Sequence, residues 1–294
     1  MRLLRFARND NVVIMVRYFK PETLSEVLSL LADKDTRFPL LAGGTDLIVQ
    51  WRMGGRWPSG IVDIGALEEI RLIIQRDNVI EIGAAVTHSM LIESHIVRRY
   101  CPVLVDACKT VGAVQIQNGG TIGGNIVNAS PAGDTPPVLL AFDALVELAS
   151  LSGRRHIPLR EFYLSYRKTA LKPDEILTRI IIPKHIPEEK AGFYKIGTRK
   201  AQAISKVALC ARAKITGGVI DDIAIALGSV APTVVRAPKT ETFLKGKKLD
   251  SSIIDEAKTK LSAEVVPIDD IRSTADYRRF VAGGLLGRFL SDIS

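Results

Sequence analysis

A glycine-rich stretch between Asn118 and Asp134 constrains this chain more than any other segment. It reads NGGTIGGNIVNASPAGD, and five of its seventeen residues are glycine. Glycine loses more conformational freedom on folding than any other residue, so such a stretch is retained where the backbone must take up a left-handed conformation or approach another group closely. Thr121 and Asn125 add polar side chains to it. The pattern predicts a loop that cradles an anion, such as the phosphates of a nucleotide cofactor.

A shorter segment upstream repeats this pattern. An apolar strand is predicted at 39–42, and it runs into Gly43, Gly44, Thr45 and Asp46. Neither segment fits GxGxxG or the Walker sequence, because no lysine follows either glycine pair at the required place. A single Gly-Gly pair is more often a tight turn than a ligand site. Two pairs, each next to a threonine and an acid or amide, favour binding of a nucleotide-like anion.

Size and charge narrow the class of protein. A chain of 294 residues that is 47% hydrophobic can bury a sizeable core. The formal net charge is +8, but lysine and arginine are spread along the chain, and no basic run with interleaved aromatics indicates a nucleic-acid partner. The longest apolar run, 138–151, is interrupted by Asp143 and Glu147, so no membrane span is predicted. We expect a soluble, cytoplasmic protein.

The cysteines and histidines do not predict a metal site or a disulfide framework. The chain has three cysteines, Cys101, Cys108 and Cys210, without a CxxC pair. The histidines show no metal-ligand spacing with one another or with cysteine. His88 opens a predicted helix, and a capping or surface role is expected for it.

The hydrophobic patterning predicts an α+β fold. Thr23 and Glu26 form a capping box before an amphipathic helix, and helices are also predicted at 87–94 and 102–111. After a Pro-, Lys- and Glu-rich boundary at 183–192, segments 193–198, 206–215 and 219–229 predict a three-stranded antiparallel meander, followed by helices. The order of strands and helices argues against a Rossmann sheet. Residues 1–14 are expected to be a leader that is disordered or not native.

The two glycine segments also carry a specific resemblance. LLAGGTDL at 40–47 and NGGTIGGNIVNASPAGD at 118–134 resemble the two FAD-binding motifs of the medium, flavoprotein subunit of the molybdenum hydroxylases. This family includes xanthine dehydrogenase, carbon monoxide dehydrogenase, aldehyde oxidoreductase and aryl-CoA dehydrogenase. The likeness runs from Met15 onward and includes VDIGALEEIR at 62–71, DEILTRIIIP at 174–183 and LGSVAPTVVRAPKTETFLKGK at 227–247.

The resemblance implies an α+β fold with a vanillyl-alcohol-oxidase (PCMH)-type FAD-binding domain of two subdomains. These would be residues 15–65 and 66–185, and residues 190–294 would form a C-terminal domain with a three-stranded antiparallel sheet and helices. FAD would lie between the subdomains, bound noncovalently, because neither glycine segment contains the His or Cys that tethers flavin in related covalent flavoproteins.

The resemblance also implies which residues contact the cofactor. The first segment would supply Ala42, Gly43, Gly44, Thr45 and Asp46, and the second Thr121, Gly123, Gly124, Asn125 and Asp134. Leu177 would pack near the isoalloxazine ring. Lys195 would lie near the flavin and favour its reduced anion, or else be a solvated strand lysine. No catalytic or metal-binding residue is expected in this chain.

The function implied is that of an electron-transfer subunit. Molybdopterin and two-iron, two-sulfur clusters are expected only on partners, a large molybdopterin subunit and a small iron–sulfur subunit, in a dimer of heterotrimers. The flavin would pass electrons from the clusters to an external acceptor. A free-standing FAD-dependent oxidoreductase and a non-enzymatic nucleotide-binding assembly protein remain alternatives. The holoenzyme substrate (CO, an aldehyde, a purine or an aryl-CoA) and the acceptor stay open.

Overall fold

The computed structural model describes residues 2–7, 13–54, 56–186 and 188–294, with side chains from Met15 onward. The strands are β1 (Arg2–Ala7), β2 (Val13–Phe19), β3 (Leu40–Leu41), β4 (Gly60–Asp63), β5 (Ile73–Gln75), β6 (Val79–Gly83), β7 (Leu145–Ser150), β8 (Gly153–Pro158), β9 (Tyr163–Ser165), β10 (Lys168–Thr169), β11 (Ile176–Pro183), β12 (Glu189–Ile196), β13 (Val207–Thr216), β14 (Val219–Gly228) and β15 (Val235–Arg236). The helices are α1 (Leu24–Ala32), α2 (Leu47–Gly54), α3 (His88–Glu93), α4 (His95–Tyr100), α5 (Pro102–Lys109), α6 (Val114–Gly119), α7 (Ile122–Val127), α8 (Thr135–Ala141), α9 (Leu159–Phe162), α10 (Pro238–Leu244), α11 (Ser251–Glu264) and α12 (Ala275–Ile293).

The first sheet has the strand order β1-β2-β4-β3, with parallel pairing of β4 to both β2 and β3. One half of the capping box predicted for α1 is present: the Thr23 hydroxyl accepts a hydrogen bond from the Glu26 backbone N–H at 3.2 Å. The Glu26 carboxylate accepts from the N–H of Glu22, one residue before the position expected of a reciprocal box. This helix packs its apolar face, with Val27 fully buried, into a core that includes Val62 of β4 and Ala149 of β7.

The disorder expected for the leader does not hold for Arg2–Ala7. This segment is a strand that pairs antiparallel with β2, from Arg2 opposite Tyr18 to Ala7 opposite Val13. The pairing satisfies backbone donors and acceptors that an isolated leader would leave to water. Met1 and residues 8–12 lie outside the described residues, and whether the leader is native stays a prediction.

The second sheet is fully antiparallel, with the order β5-β6-β11-β7-β8. Its central strand β11 is buried at Ile176, Ile180 and Ile182, whereas Arg179 and Ile181 are half-buried. Helices α3 to α5, α7 and α8 contribute to the same core, and the sequence did not predict α4.

The C-terminal domain contains an antiparallel sheet of order β12-β13-β14-β15. The meander predicted from the sequence accounts for three of its strands, and the two-residue strand β15 pairs with the outer edge of β14 as a fourth. Helices α11 and α12 cover this sheet through a core of its own that includes Leu209, Leu286 and Phe289. Within the described residues, none of the helices combines the length and the hydrophobicity needed to cross a bilayer.

Helix α8 joins the two parts of the molecule, because all of its residues are buried. It packs against β13 and β14, and Cys210 and Ala226 of those strands share a core with Leu139. Arginines of the C-terminal sheet donate to the last carbonyls of α8: Arg212 to Ala141 O at 2.6 Å and Arg236 to Leu140 O at 3.3 Å. These bonds satisfy acceptors that a helix end leaves without an internal partner.

We expect Arg212→Met to lower the free energy of unfolding by about 3 kcal/mol, because the variant loses charged hydrogen bonds to Ala141, Asp143 and Glu189. Urea denaturation measures the change. Lys214→Met is the matched control, since Lys214 lies on the same strand and is exposed. Equal stability of the two variants would contradict the role assigned to Arg212.

Candidate functional site

A cleft of about 1460 Å³ brings the two glycine segments together. It is larger than the roughly 300–1,000 Å³ of pockets for drug-sized ligands. It therefore has room for an elongated ligand such as a dinucleotide. Its walls come from the first sheet, from the second subdomain and from the C-terminal domain. Every predicted contact residue except Lys195 lines it: Ala42, Gly43, Gly44, Thr45, Asp46, Thr121, Gly123, Gly124, Asn125, Asp134 and Leu177.

The first glycine segment touches the second directly. A Cβ atom on Gly43 would lie 1.7 Å from the carbonyl oxygen of Gly119, so only glycine permits this approach. Gly44 has a φ of +68°, in the left-handed region that favours glycine. Thr45 and Asp46 follow at the start of α2, where the first N–H groups of the helix have no intrahelical acceptor.

The second glycine segment is not an open loop, as the sequence predicted, but contains the helical turns of α6 and α7. Thr121 caps α7 by accepting a hydrogen bond from the N–H of Gly124 at 3.1 Å. A Cβ on Gly123 would lie 2.6 Å from both the Cβ and the carbonyl oxygen of Ala84, so this glycine allows α7 to pack on the second sheet. Glycine was read as a sign of an extended loop, whereas here it permits close packing of short helices.

Asp134, at the end of the second segment, is a buried carboxylate that accepts hydrogen bonds from two side chains. Lys195 Nζ donates to Asp134 Oδ2 at 2.6 Å, and the Ser205 hydroxyl donates to Oδ1 at 2.6 Å. The Lys195 and Asp134 side chains are 9% and 8% exposed. Burial raises the pKa of the Asp134 carboxyl, and the Lys195 ammonium and the Ser205 hydroxyl act against that shift. Lys195 also donates to the carbonyl of Thr110 at 2.9 Å.

The structure thus places Lys195 beside a wall of the cleft, paired with Asp134. It is not the solvated strand lysine that the sequence allowed as an alternative. The Asp134 carboxylate compensates the positive charge of Lys195. Lys195 would therefore affect a bound flavin through its effect on Asp134. Leu177, by contrast, is 3% exposed and forms part of the apolar wall.

His88 is a cleft residue that the sequence misassigned. It was expected to cap a helix or lie on the surface, but it is 2% exposed and its Nδ1 has no hydrogen-bond partner among the described residues. Burial lowers the pKa of His88 to about 4, so the imidazole is neutral at physiological pH. Thr87 caps the helix instead, by accepting from the N–H of Met90.

Other cleft residues were not predicted as site residues from the sequence, although Ser229 lies in the family-like segment 227–247. The C-terminal domain contributes Ser229, Asp270 and Arg278, which are joined by hydrogen bonds from Arg278 to the Ser229 carbonyl at 2.8 Å and to Asp270 at 2.7 Å. The β9–β10 hairpin contributes Tyr166 and Arg167. No motif links these segments, because only the tertiary structure brings them to the glycine segments.

The donor set suits a dinucleotide and not a metal ion. Two glycine walls without side chains let a ligand approach the backbone closely, and Thr45 and Asn125 add polar side chains to the cleft. Within the described part of the chain, no group of His, Cys, Asp and Glu side chains has a metal-binding arrangement.

Comparison with known proteins identifies the family. Residues 14–185 match the model of the FAD-binding domain in molybdopterin dehydrogenase. The chain belongs to this family. Residues 192–293 of this flavoprotein match the C-terminal domain of the carbon monoxide dehydrogenase flavoprotein. It is therefore an FAD-binding oxidoreductase subunit of the molybdopterin dehydrogenase type, as its two glycine segments indicated.

Similar proteins match along nearly the whole chain of this flavoprotein. The glyceraldehyde dehydrogenase medium chain of Sulfolobus acidocaldarius is 32% identical over 94% of this chain and 98% of its own. Among solved structures, carbon monoxide dehydrogenase from Hydrogenophaga pseudoflava matches with a TM-score of 0.90 at 30% identity, over 94% of this chain and 96% of the other. Quinoline 2-oxidoreductase from Pseudomonas putida matches with a TM-score of 0.88 at 28% identity, over 94% and 96%. The fold is that of the medium-chain flavoprotein subunits.

We predict that His88 makes stability fall in mild acid. The unfolded chain binds a proton near pH 6.5 and the folded protein only near pH 4, so stability is complete above pH 6.5 and is lost as the pH falls toward about 4. The loss is about 3 kcal/mol. Urea denaturation across this pH range should show this loss of stability in the native protein and not in His88→Gln. Identical pH profiles for the two proteins would refute the assignment.

We predict that Lys195→Met lowers the free energy of unfolding by about 3–5 kcal/mol, because it leaves the buried Asp134 carboxylate without its counter-charge. Adding Asp134→Asn should recover much of the loss, since the double variant has no unpaired charge. Chemical denaturation of both single variants and the double variant tests the coupling. Additive losses would show that the pair does not act as a unit.

Proposed function

We propose that this chain holds FAD noncovalently in the cleft between its subdomains and acts as the electron-transfer subunit of a molybdenum hydroxylase. The observation that supports the binding mode is the meeting of two glycine segments, distant in sequence, on one cleft large enough for a dinucleotide. The contact at Gly43 leaves no room for a side chain between them.

Different residues of the cleft would contact different parts of the cofactor. Backbone N–H groups of 43–46 would bind the pyrophosphate, assisted by the Thr45 hydroxyl and the Asn125 amide, whereas the N–H groups of 122–125 already donate within the protein. Asn125 is oriented by the Thr135 hydroxyl, which donates to its side-chain oxygen at 2.7 Å. Leu177 would pack against the ring system. Asp134 would present a carboxylate that Lys195 and Ser205 hold in one orientation.

The bound flavin supplies redox chemistry that the side chains of the cleft lack. We propose that electrons reach it from iron–sulfur clusters of a small partner subunit and leave to an external acceptor, while substrate oxidation takes place on a large molybdopterin subunit. The names of the relatives support this role: they include a nicotinate dehydrogenase FAD-subunit and a carbon monoxide dehydrogenase medium chain. A dimer of heterotrimers in the cytoplasm is part of the same proposal.

Visible absorption of the purified chain, with mass analysis of the released ligand, tests the cofactor. A yellow protein that releases FAD on denaturation is expected, and a colourless one that FAD cannot reconstitute would favour a flavin-free assembly role. Co-purification from the native host tests the relay. Recovery as a lone polypeptide, with substrate-linked flavin reduction by the isolated chain, would favour a free-standing oxidoreductase.

We expect Gly124→Val to abolish FAD retention while the C-terminal domain stays folded. A Cβ at this position would lie 2.9 Å from the Thr121 hydroxyl, and the remaining methyl groups would enter the cleft. The matched control is Gly284→Val on α12, where a Cβ meets nothing within 4 Å. Flavin absorbance per chain measures the effect, and full flavin occupancy in Gly124→Val would refute this placement of the cofactor.

A further inference from the structure

The charges along the cleft are unevenly compensated. Three carboxylates and three guanidinium groups line it: Asp46, Asp134, Asp270, Arg167, Arg272 and Arg278. Asp270 receives both Arg272 and Arg278, at 3.3 and 2.7 Å. Asp134 is paired with Lys195. In contrast, Arg167 has no carboxylate within 4.0 Å among the described residues.

Arg167 makes a long hydrogen bond to a side chain that also contacts the helix after the first glycine segment. It donates to the side-chain oxygen of Asn128, the C-cap of α7, at 3.4 Å. The amide of Gln50 on α2 donates to the same oxygen at 3.4 Å, and it also donates to Asp46. Arg167 therefore lies next to the elements that begin at the two glycine segments, without an anion of its own.

The local backbone fixes where this cation is presented. Arg167 occupies the turn between β9 and β10 with a φ of +53°, in the left-handed region. Its side chain is exposed in part to solvent and in part to the cleft, so an anionic ligand could reach it without displacing a buried partner. Guanidinium groups bind phosphate oxygens through two parallel hydrogen bonds.

We propose that Arg167 is the cation that binds the pyrophosphate of the dinucleotide held between the glycine segments. A pyrophosphate placed beside Asp46 meets a like charge, and Arg167 supplies the compensation that Arg272 and Arg278, both engaged by Asp270, do not. This inference rests on the proposed binding of FAD in this cleft.

Titration of FAD into the flavin-free full chain, followed by flavin fluorescence at low and high salt, tests the proposal. We expect Arg167→Gln to weaken FAD binding by about ten- to hundredfold at low salt and to reduce the dependence of affinity on salt. Arg167→Lys should recover part of the affinity and of the salt dependence. Lys168→Gln is the matched control: it removes the same charge from the same hairpin, but at an exposed residue that is not part of the cleft wall.

The outcomes separate this inference from the proposed function. If the native chain does not bind FAD, the proposed function fails. If the native chain binds FAD and Arg167→Gln binds it equally well, only the role of Arg167 fails. A loss of affinity with unchanged salt dependence would also overturn it, because a purely structural effect of the hairpin would not alter the response to salt. An equal loss of FAD affinity in Lys168→Gln would also overturn the role of Arg167.

Discussion

The burial of the Asp134 carboxylate is the constraint on which the rest of this site depends. A carboxylate removed from water is costly unless charged and hydrogen-bonding groups surround it. Here both partners come from the C-terminal domain, Lys195 on β12 and Ser205 just before β13. The last residue of the second glycine segment therefore takes its orientation from a different domain. This wall of the cleft is complete only when the two domains are packed together.

Further contacts extend this dependence along the cleft. The N–H of Ser229, directly after β14, donates to the carbonyl of Pro131 at 2.7 Å, and its hydroxyl donates to the carbonyl of Ser205. Arg278 on α12 then holds the Ser229 carbonyl. Together with the buried helix α8, these bonds make the C-terminal domain a structural part of the cleft. In a subunit proposed to relay electrons, such rigidity would keep the flavin in a fixed position relative to its partners.

The glycines of the site serve two physical purposes. Gly43 and Gly123 are required by contacts within the protein, because a Cβ on either would collide with backbone or side-chain atoms of the opposite wall. Gly124 meets little more than the hydroxyl of Thr121, and its missing side chain leaves space on the cleft side. The open anion cradle suggested by composition is thus a packed structure of two short helical ends, held together by close backbone contact.

Local pattern was enough to predict much of this protein. Hydrophobic periodicity predicted helices such as α1 with its Thr23 cap, and the motifs at 40–47 and 118–134 indicated the family and named residues that the structure places on the cleft wall. The burial of His88, the pairing of Lys195 with Asp134 and the position of Arg167 depend on contacts between segments far apart in the chain. No short-range pattern encodes such contacts, because a side chain's burial and charge partners are set by whichever elements the fold packs against it. The sequence by itself determined the class of fold and the nature of the cofactor, and only the tertiary structure decided which charges the cofactor would meet.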